Sequence, residues 1–222
     1  ILICGAVLIF ILFFMTDVWD AGVKPLVIDV EADPGDNRQF TLTLTPTGQE
    51  EKVKFSVYRP VQLPTGGLTY QQQSADQFPA QNWVELDAQQ TTVYPDRKKE
   101  ITGTITIPFS AGGSHPVVIM VEPQQTTQKK NGLQFKVRYA VRINIKVDRP
   151  GIRPEAELKQ LRLTADKENK PQIKAQLVNA SQLGYLVSGA ATIRDLEQRL
   201  VERVTLKSPA GNKPKINKTK MY

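Results

Sequence analysis

The residues able to do chemistry are few, and their spacing argues against catalysis. His115 is the sole histidine and lies in the run Gly112-Gly113-Ser114-His115-Pro116. A Ser-His-Asp relay using Ser114 or Ser110 needs side chains that converge from separate supporting elements, and neighbours in one loop do not supply that. His115 is therefore expected as an exposed turn residue. The single cysteine, Cys4, sits in an apolar leader, so neither a disulfide nor a cysteine-ligated metal site is expected beyond it. Asp33 and Asp36 flank Pro34-Gly35 without the spaced oxygen ligands and closing glutamate of a calcium loop, and read as a turn. Gly66-Gly67 and Gly112-Gly113 lack the strand-to-helix context and the Lys-Ser/Thr ending of a phosphate loop, and read as hairpin corners. The carboxylates are scattered over several segments, as solvated faces are, rather than paired as in a glycosidase. No catalytic residue, metal ligand or cofactor is assigned, and a non-enzymatic protein is expected.

The elements that would hold any binding site are legible as strands. From Leu133 to Val147 every odd position is apolar (Leu133, Phe135, Val137, Tyr139, Val141, Ile143, Ile145, Val147), with Gln134, Lys136, Arg138, Ala140, Arg142, Asn144 and Lys146 between. Alternation of period two puts one row on a buried face and the other in water, because successive side chains of a strand point to opposite sides. At roughly 3.3 Å per residue such a strand spans about 50 Å, far more than one small sandwich covers. Either it bends between two sheets or part of its apolar row awaits a partner.

Upstream, Leu26, Ile28 and Val30 alternate before the Asp33-Pro34-Gly35-Asp36 turn; Phe40, Leu42 and Leu44, then Val53, Phe55 and Val57, form two further strands. From Pro60 to Gln90 the pattern lapses into glutamine, glycine and proline, which predicts a long loop that returns to the core at Trp83. Ile101, Ile105 and Ile107, then Val117, Ile119 and Val121, resume the alternation. About seven strands by Val147 suit an immunoglobulin-like sandwich. Arg149-Pro150-Gly151 and Arg153-Pro154 interrupt pairing and mark a domain boundary, since proline lacks the N–H that a ladder needs. Beyond it, residues 158–165, 172–179, 185–193 and 199–206 read as four more strands. The expected organisation is all-β: a signal peptide or membrane anchor helix at 1–22, an immunoglobulin-like β-sandwich at 23–150, and a second immunoglobulin-like unit at 151–222. Four strands do not close a sandwich, so that unit is either small and dependent on the first or truncated.

The leader, ILICGAVLIFILFF, is shorter than the roughly 20 residues a spanning helix needs and is read as the apolar core of a secretory signal, with an uncleaved anchor and membrane association through residues 1–15 as the alternative. Of 29 basic and 22 acidic residues, Asp17 and Asp20 would leave with it, raising the net charge from +7 to +9 (29 − 20). Lys207, Lys213, Lys215, Lys218 and Lys220 crowd the far end. Such a surface favours anionic envelope partners, such as headgroups, teichoic acids or acidic glycans, over nucleic acid. An extracytoplasmic location, periplasm or cell surface, follows from the leader.

The long strand ending in Lys146-Val147-Asp148-Arg149-Pro150 resembles the last strand of the first domain of PapD-like pilus-assembly chaperones. The Asp-Pro-Gly-Asp turn, Trp83 ahead of the Thr91–Arg97 segment, and Ile105-Thr106-Ile107-Pro108 before a glycine turn are similar to that superfamily too, over residues 24–150. The resemblance implies that the strand is donated to an envelope or pilus subunit lacking one of its own, main-chain bonds giving affinity and alternate side chains filling a groove. Leu133, Phe135, Val137 and Tyr139 would then be the donated residues, and Val141, Ile143, Ile145 and Val147 would stay in the core. The family anchors the subunit's terminal carboxylate with basic residues; Arg142 or Lys146 would serve here. Residues 176–179 and 189–193 resemble instead the second immunoglobulin-like domain of WxL-associated Gram-positive surface proteins, which implies adhesion to a cell-wall polymer or host ligand as the alternative.

Overall fold

A computed structural model of the chain describes residues 22–46, 48–63, 67–124 and 137–206 and a short strand at Thr219–Met221. Residues 1–21, where a signal or anchor helix is expected, and Leu133 and Phe135 lie outside the described residues. So does most of the Lys-rich end.

Ten strands precede the predicted boundary: β1 (Gly22–Lys24), β2 (Val27–Ala32), β3 (Asn37–Thr45), β4 (Glu51–Gln62), β5 (Leu68–Gln71), β6 (Val84–Leu86), β7 (Gln90–Val93), β8 (Lys99–Thr106), β9 (Gly113–Gln124) and β10 (Tyr139–Val147). They form an immunoglobulin-like β-sandwich. One sheet runs β1-β3-β8-β6; the other runs β2-β10-β9-β4-β5, with β7 also beside β4. All pairings are antiparallel except that of β2 with β10.

The apolar rows expected from alternation fill the space between the sheets. Leu42, Ile101 and Ile105 on one side and Val117, Ile119, Val141, Ile143, Ile145 and Val147 on the other are 0–1% exposed. Phe40 lies across from Gly103, where a Cβ would overlap its ring, so the small residue makes room for the large one. The Asp33–Asp36 turn closes with a bond from Asp36 N–H to Asp33 O at 3.1 Å, with Gly35 at φ +92°.

The loop expected from Pro60 to Gln90 is corrected. β4 continues to Gln62, β5 pairs back on it, and a 3₁₀ turn at Pro79–Trp83 leads into β6. Trp83 does return to the core, 9% exposed, with Phe78 and Ala80. Pro60 is tolerated because β9 accompanies β4 only as far as Tyr58, so Pro60 has a neighbouring strand on one side alone.

His115 is also corrected. It belongs to β9, opposite Ile145, and its ring stacks on Trp83 with centroids 4.4 Å apart at 56°. Nε2–H donates to Gly112 O at 3.0 Å. Burial pushes its pKa below the usual 6.5, and the bond to Gly112 opposes that shift.

After Val147, the turn-bearing stretch with Pro150, Gly151 and Pro154 precedes β11 (Ala156–Ala165), β12 (Pro171–Asn179), β13 (Tyr185–Val187), β14 (Ala190–Arg194), β15 (Leu200–Thr205) and β16 (Thr219–Met221). These make three two-stranded sheets, β11-β12, β13-β16 and β14-β15. The strand expected over 185–193 is divided by Ser188-Gly189 into β13 and β14. Among the described residues no helix is long and apolar enough to cross a membrane.

Candidate functional site: the edge of β10 and the adjoining cleft

β10 owes its place to its two rows. Val141, Ile143, Ile145 and Val147 are buried between the sheets, which fixes the register, because a one-residue slip would turn all of them to water. The even residues Ala140, Arg142, Asn144 and Lys146 then lie on the outer face of the sheet. β9 flanks β10 along its whole length, from Tyr139↔Val121 to Val147↔Gly113. β2 flanks it only from Arg142↔Val27 to Val147↔Ala32.

Among the described residues, that difference leaves the start of β10 paired on one side alone. Arg142 N–H donates to Leu26 O at 2.9 Å, on the β2 side. By the two-residue period of the ladder, the Ala140 N–H points the same way, to the side where β1 comes near β10 but pairs with β3 instead. β1, which precedes β2, has crossed to the other sheet and pairs with β3. The edge of β10 beside Tyr139–Val141 is therefore not covered by β2.

Of the residues singled out in the sequence, Val137 is 56% exposed and Tyr139 is half-buried, packed against the core. Arg142 is half-buried on the outer face, with Val27 and Val118 as cross-strand neighbours, and its Nε is buried without a hydrogen-bond partner. Lys146 is exposed, its Nζ 3.4 Å from Glu31 Oε1. Four residues apart on one strand, Arg142 and Lys146 are separated by about 13 Å. They share a face but not a single site.

Lys146 also lines a cleft of about 200 Å³ together with Asp29, Glu31, Ser114, Asn144 and Gly184. Asn144 Nδ2 donates to Asp29 Oδ1 at 2.6 Å. Asp29, Glu31, Ser114 and Gly184 were not anticipated. Alternation marked Asp29 and Glu31 as the outward row of their strand, but only the parallel pairing of β2 with β10 brings them to Asn144 and Lys146, and that pairing joins residues 115 apart. Among the described residues no group of three or more His, Cys, Asp or Glu is placed to hold a metal ion.

The architecture is similar to that of chains in solved structures of fimbrial chaperones and their complexes. A chain in the structure of the chaperone–tip adhesin complex of CFA/I fimbriae biogenesis superposes with a TM-score of 0.50 at 11% identity, covering 91% of this chain and 82% of that one. The class 5 fimbriae chaperone CfaA gives 0.48 at 10% identity, covering 85% and 81%. A chain of the CsuC–CsuE chaperone–tip adhesion subunit complex of Acinetobacter baumannii gives 0.46 at 13%, covering 84% and 89%. No family model and no curated protein matches the sequence. At such identities the likeness is one of fold: the chain shares an immunoglobulin-like β-sandwich architecture with that first chain.

Proposed function

We propose that this protein is a non-enzymatic, extracytoplasmic binding protein of the chaperone type, which captures an extended β-segment of an envelope or pilus subunit on the open edge of β10. The observation that carries this reading is that β2 stops at Arg142 while β10 continues to Tyr139 with β9 on its other side. A strand flanked by a neighbour on one side only is a template for another strand. Strand addition there supplies main-chain bonds, while the apolar row that continues in sequence through Val137, Phe135 and Leu133 offers side chains at every second position.

Arg142 stands where the opening meets β2 and has a buried Nε to satisfy, whereas Lys146 lies deeper, beside Glu31. Arg142 can meet an anionic group on a segment seated at the opening, whereas Lys146 belongs to the stretch already paired with β2 and can meet one only from the cleft. The four-stranded sheet and β11–β16 would serve as scaffold, with residues 151–222 as a second unit.

The test is titration of the full chain with a labelled synthetic peptide of alternating valine and threonine, followed by fluorescence anisotropy. Binding is expected for the wild type, and Val137→Asp should weaken it at least about tenfold, since a carboxylate would be buried without a partner. Equal binding by the variant, or no binding by the wild type, contradicts the proposal.

A further inference from the structure

The second segment meets the sandwich through a small contact remote from the open edge of β10. Ser114 N–H donates to Gln182 O at 2.8 Å, and Gly184 N–H donates to Ser114 Oγ at 2.8 Å. One serine thus satisfies two backbone groups of the loop between β12 and β13. Gly113 adjoins it at φ +92°, and a Cβ there would overlap the Gln182 carbonyl. Both the backbone conformation and the close approach therefore require glycine.

The loop arrives already shaped. Asn179 Nδ2 donates to Leu183 O at 2.6 Å, Ser181 N–H to Asn179 Oδ1 at 3.0 Å, and Leu183 N–H to Ser181 Oγ at 3.1 Å. These bonds hold the 179–184 turn without help from the sandwich, so it presents Gln182 O and Gly184 N–H as a preformed pair. On the sandwich side the segment is equally constrained: His115, the next residue, is pinned inward by Trp83, which turns Ser114 outward. Ser114 lies across from Lys146, and Ser114, Lys146 and Gly184 all line the cleft.

We propose that Ser114, with Gly113 beside it, is a latch that seats the β12–β13 loop on the start of β9 and so sets the width of the cleft between Lys146 and Gly184. Ser114 is a positioning residue: it holds two backbone groups, and through them the wall opposite β10. Among the described residues these are the hydrogen bonds that join the sandwich to the second segment outside the connecting stretch, where Arg149 Nη1–H also donates to Ser110 O at 2.7 Å.

The experiment uses the full chain and needs no ligand, so its result is independent of what β10 captures. Amide exchange at Gly184 is measured by NMR. In Ser114→Ala, which keeps the Ser114 N–H bond to Gln182 O, the Gly184 amide should exchange about fivefold faster or more, as expected for one lost hydrogen bond, while the Val141 amide keeps its protection. Ser114→Thr retains the hydroxyl and should restore the slow exchange. Unchanged exchange at Gly184 in Ser114→Ala, or a threonine variant that exchanges as fast as the alanine one, overturns the proposal.

Discussion

β10 and β11 each carry an apolar row and end in opposite surroundings. In β10, Val141, Ile143, Ile145 and Val147 are at most 1% exposed. In β11, Leu158, Leu161 and Leu163 are 55%, 62% and 77% exposed. The register with β12 sets Leu158 opposite Leu177, Leu161 opposite Ala175 and Leu163 opposite Ile173, so the hairpin has a continuous apolar face. A bulge between Leu158 and Gln160 keeps Leu158 on that face despite its odd spacing from Leu161. The difference lies in what stands opposite. β10 sits inside a six-stranded sheet that faces a four-stranded one, whereas among the described residues β11 pairs with β12 alone. Alternation tells which side of a strand is greasy; it does not tell whether a second layer covers it.

The sharpest way to break that contrast is to truncate the two rows. Ile143→Ala should destabilise the chain by about 2–5 kcal/mol, the usual cost of emptying a packed core site, read as a lower urea midpoint. A loss below about 1 kcal/mol would mean that the core around β10 is loose. Gly103→Ala should cost about 1–3 kcal/mol in the same assay, because the added Cβ overlaps the ring of Phe40 and the core must shift.

A smaller effect is expected from pH. Burial lowers the pKa of His115 in the folded chain below its unfolded value of 6.5, so the unfolded chain binds the proton more readily. Its contribution to stability is fully present above about pH 6.5 and is lost as pH falls from there towards the folded pKa. His115→Phe should flatten that part of the urea-midpoint curve, since phenylalanine keeps the stacking surface on Trp83 and does not titrate. The exposed Lys146–Glu31 pair should give a coupling of about 0–1 kcal/mol in a double-mutant cycle, as expected of a solvated ion pair. Smallest of all, Leu163→Ala should change stability by no more than about 0.5 kcal/mol; a loss near that of Ile143→Ala would show that the β11–β12 face is covered in solution.

Most of the sandwich was legible because its strands obey period two over long runs. Phe40, Leu42 and Leu44, and Val141 to Val147, needed no tertiary information to be placed on a buried face. Three features were not legible, each for a physical reason. β5, β6 and β7 are three or four residues long, too short for a period to register, and their pairings with β4 and β8 are set by the rest of the sheet. His115 looked like a turn residue from its Gly-Gly-Ser and Pro neighbours, yet Trp83, 32 residues earlier in the chain, provides its packing surface. Val118 and Met120, the outward row of β9, are 0% and 6% exposed because β9 is a central strand with Arg142 and Tyr58 flanking Val118, and Ala140 and Ser56 flanking Met120. At the candidate site the strand and its outward cations were visible in sequence. The extent of the opening was not, because it depends on where β2 begins to pair with β10, and that follows from the crossing of the chain between β1 and β2.

Amide exchange at neighbouring positions of β10 tests the central claim most directly. In the free chain the Ala140 amide should exchange much faster than that of Arg142, whose N–H is held by Leu26 O, and an alternating peptide should slow Ala140 while leaving Arg142 unchanged. An Ala140 amide as protected as Arg142 before any peptide is added would contradict the account.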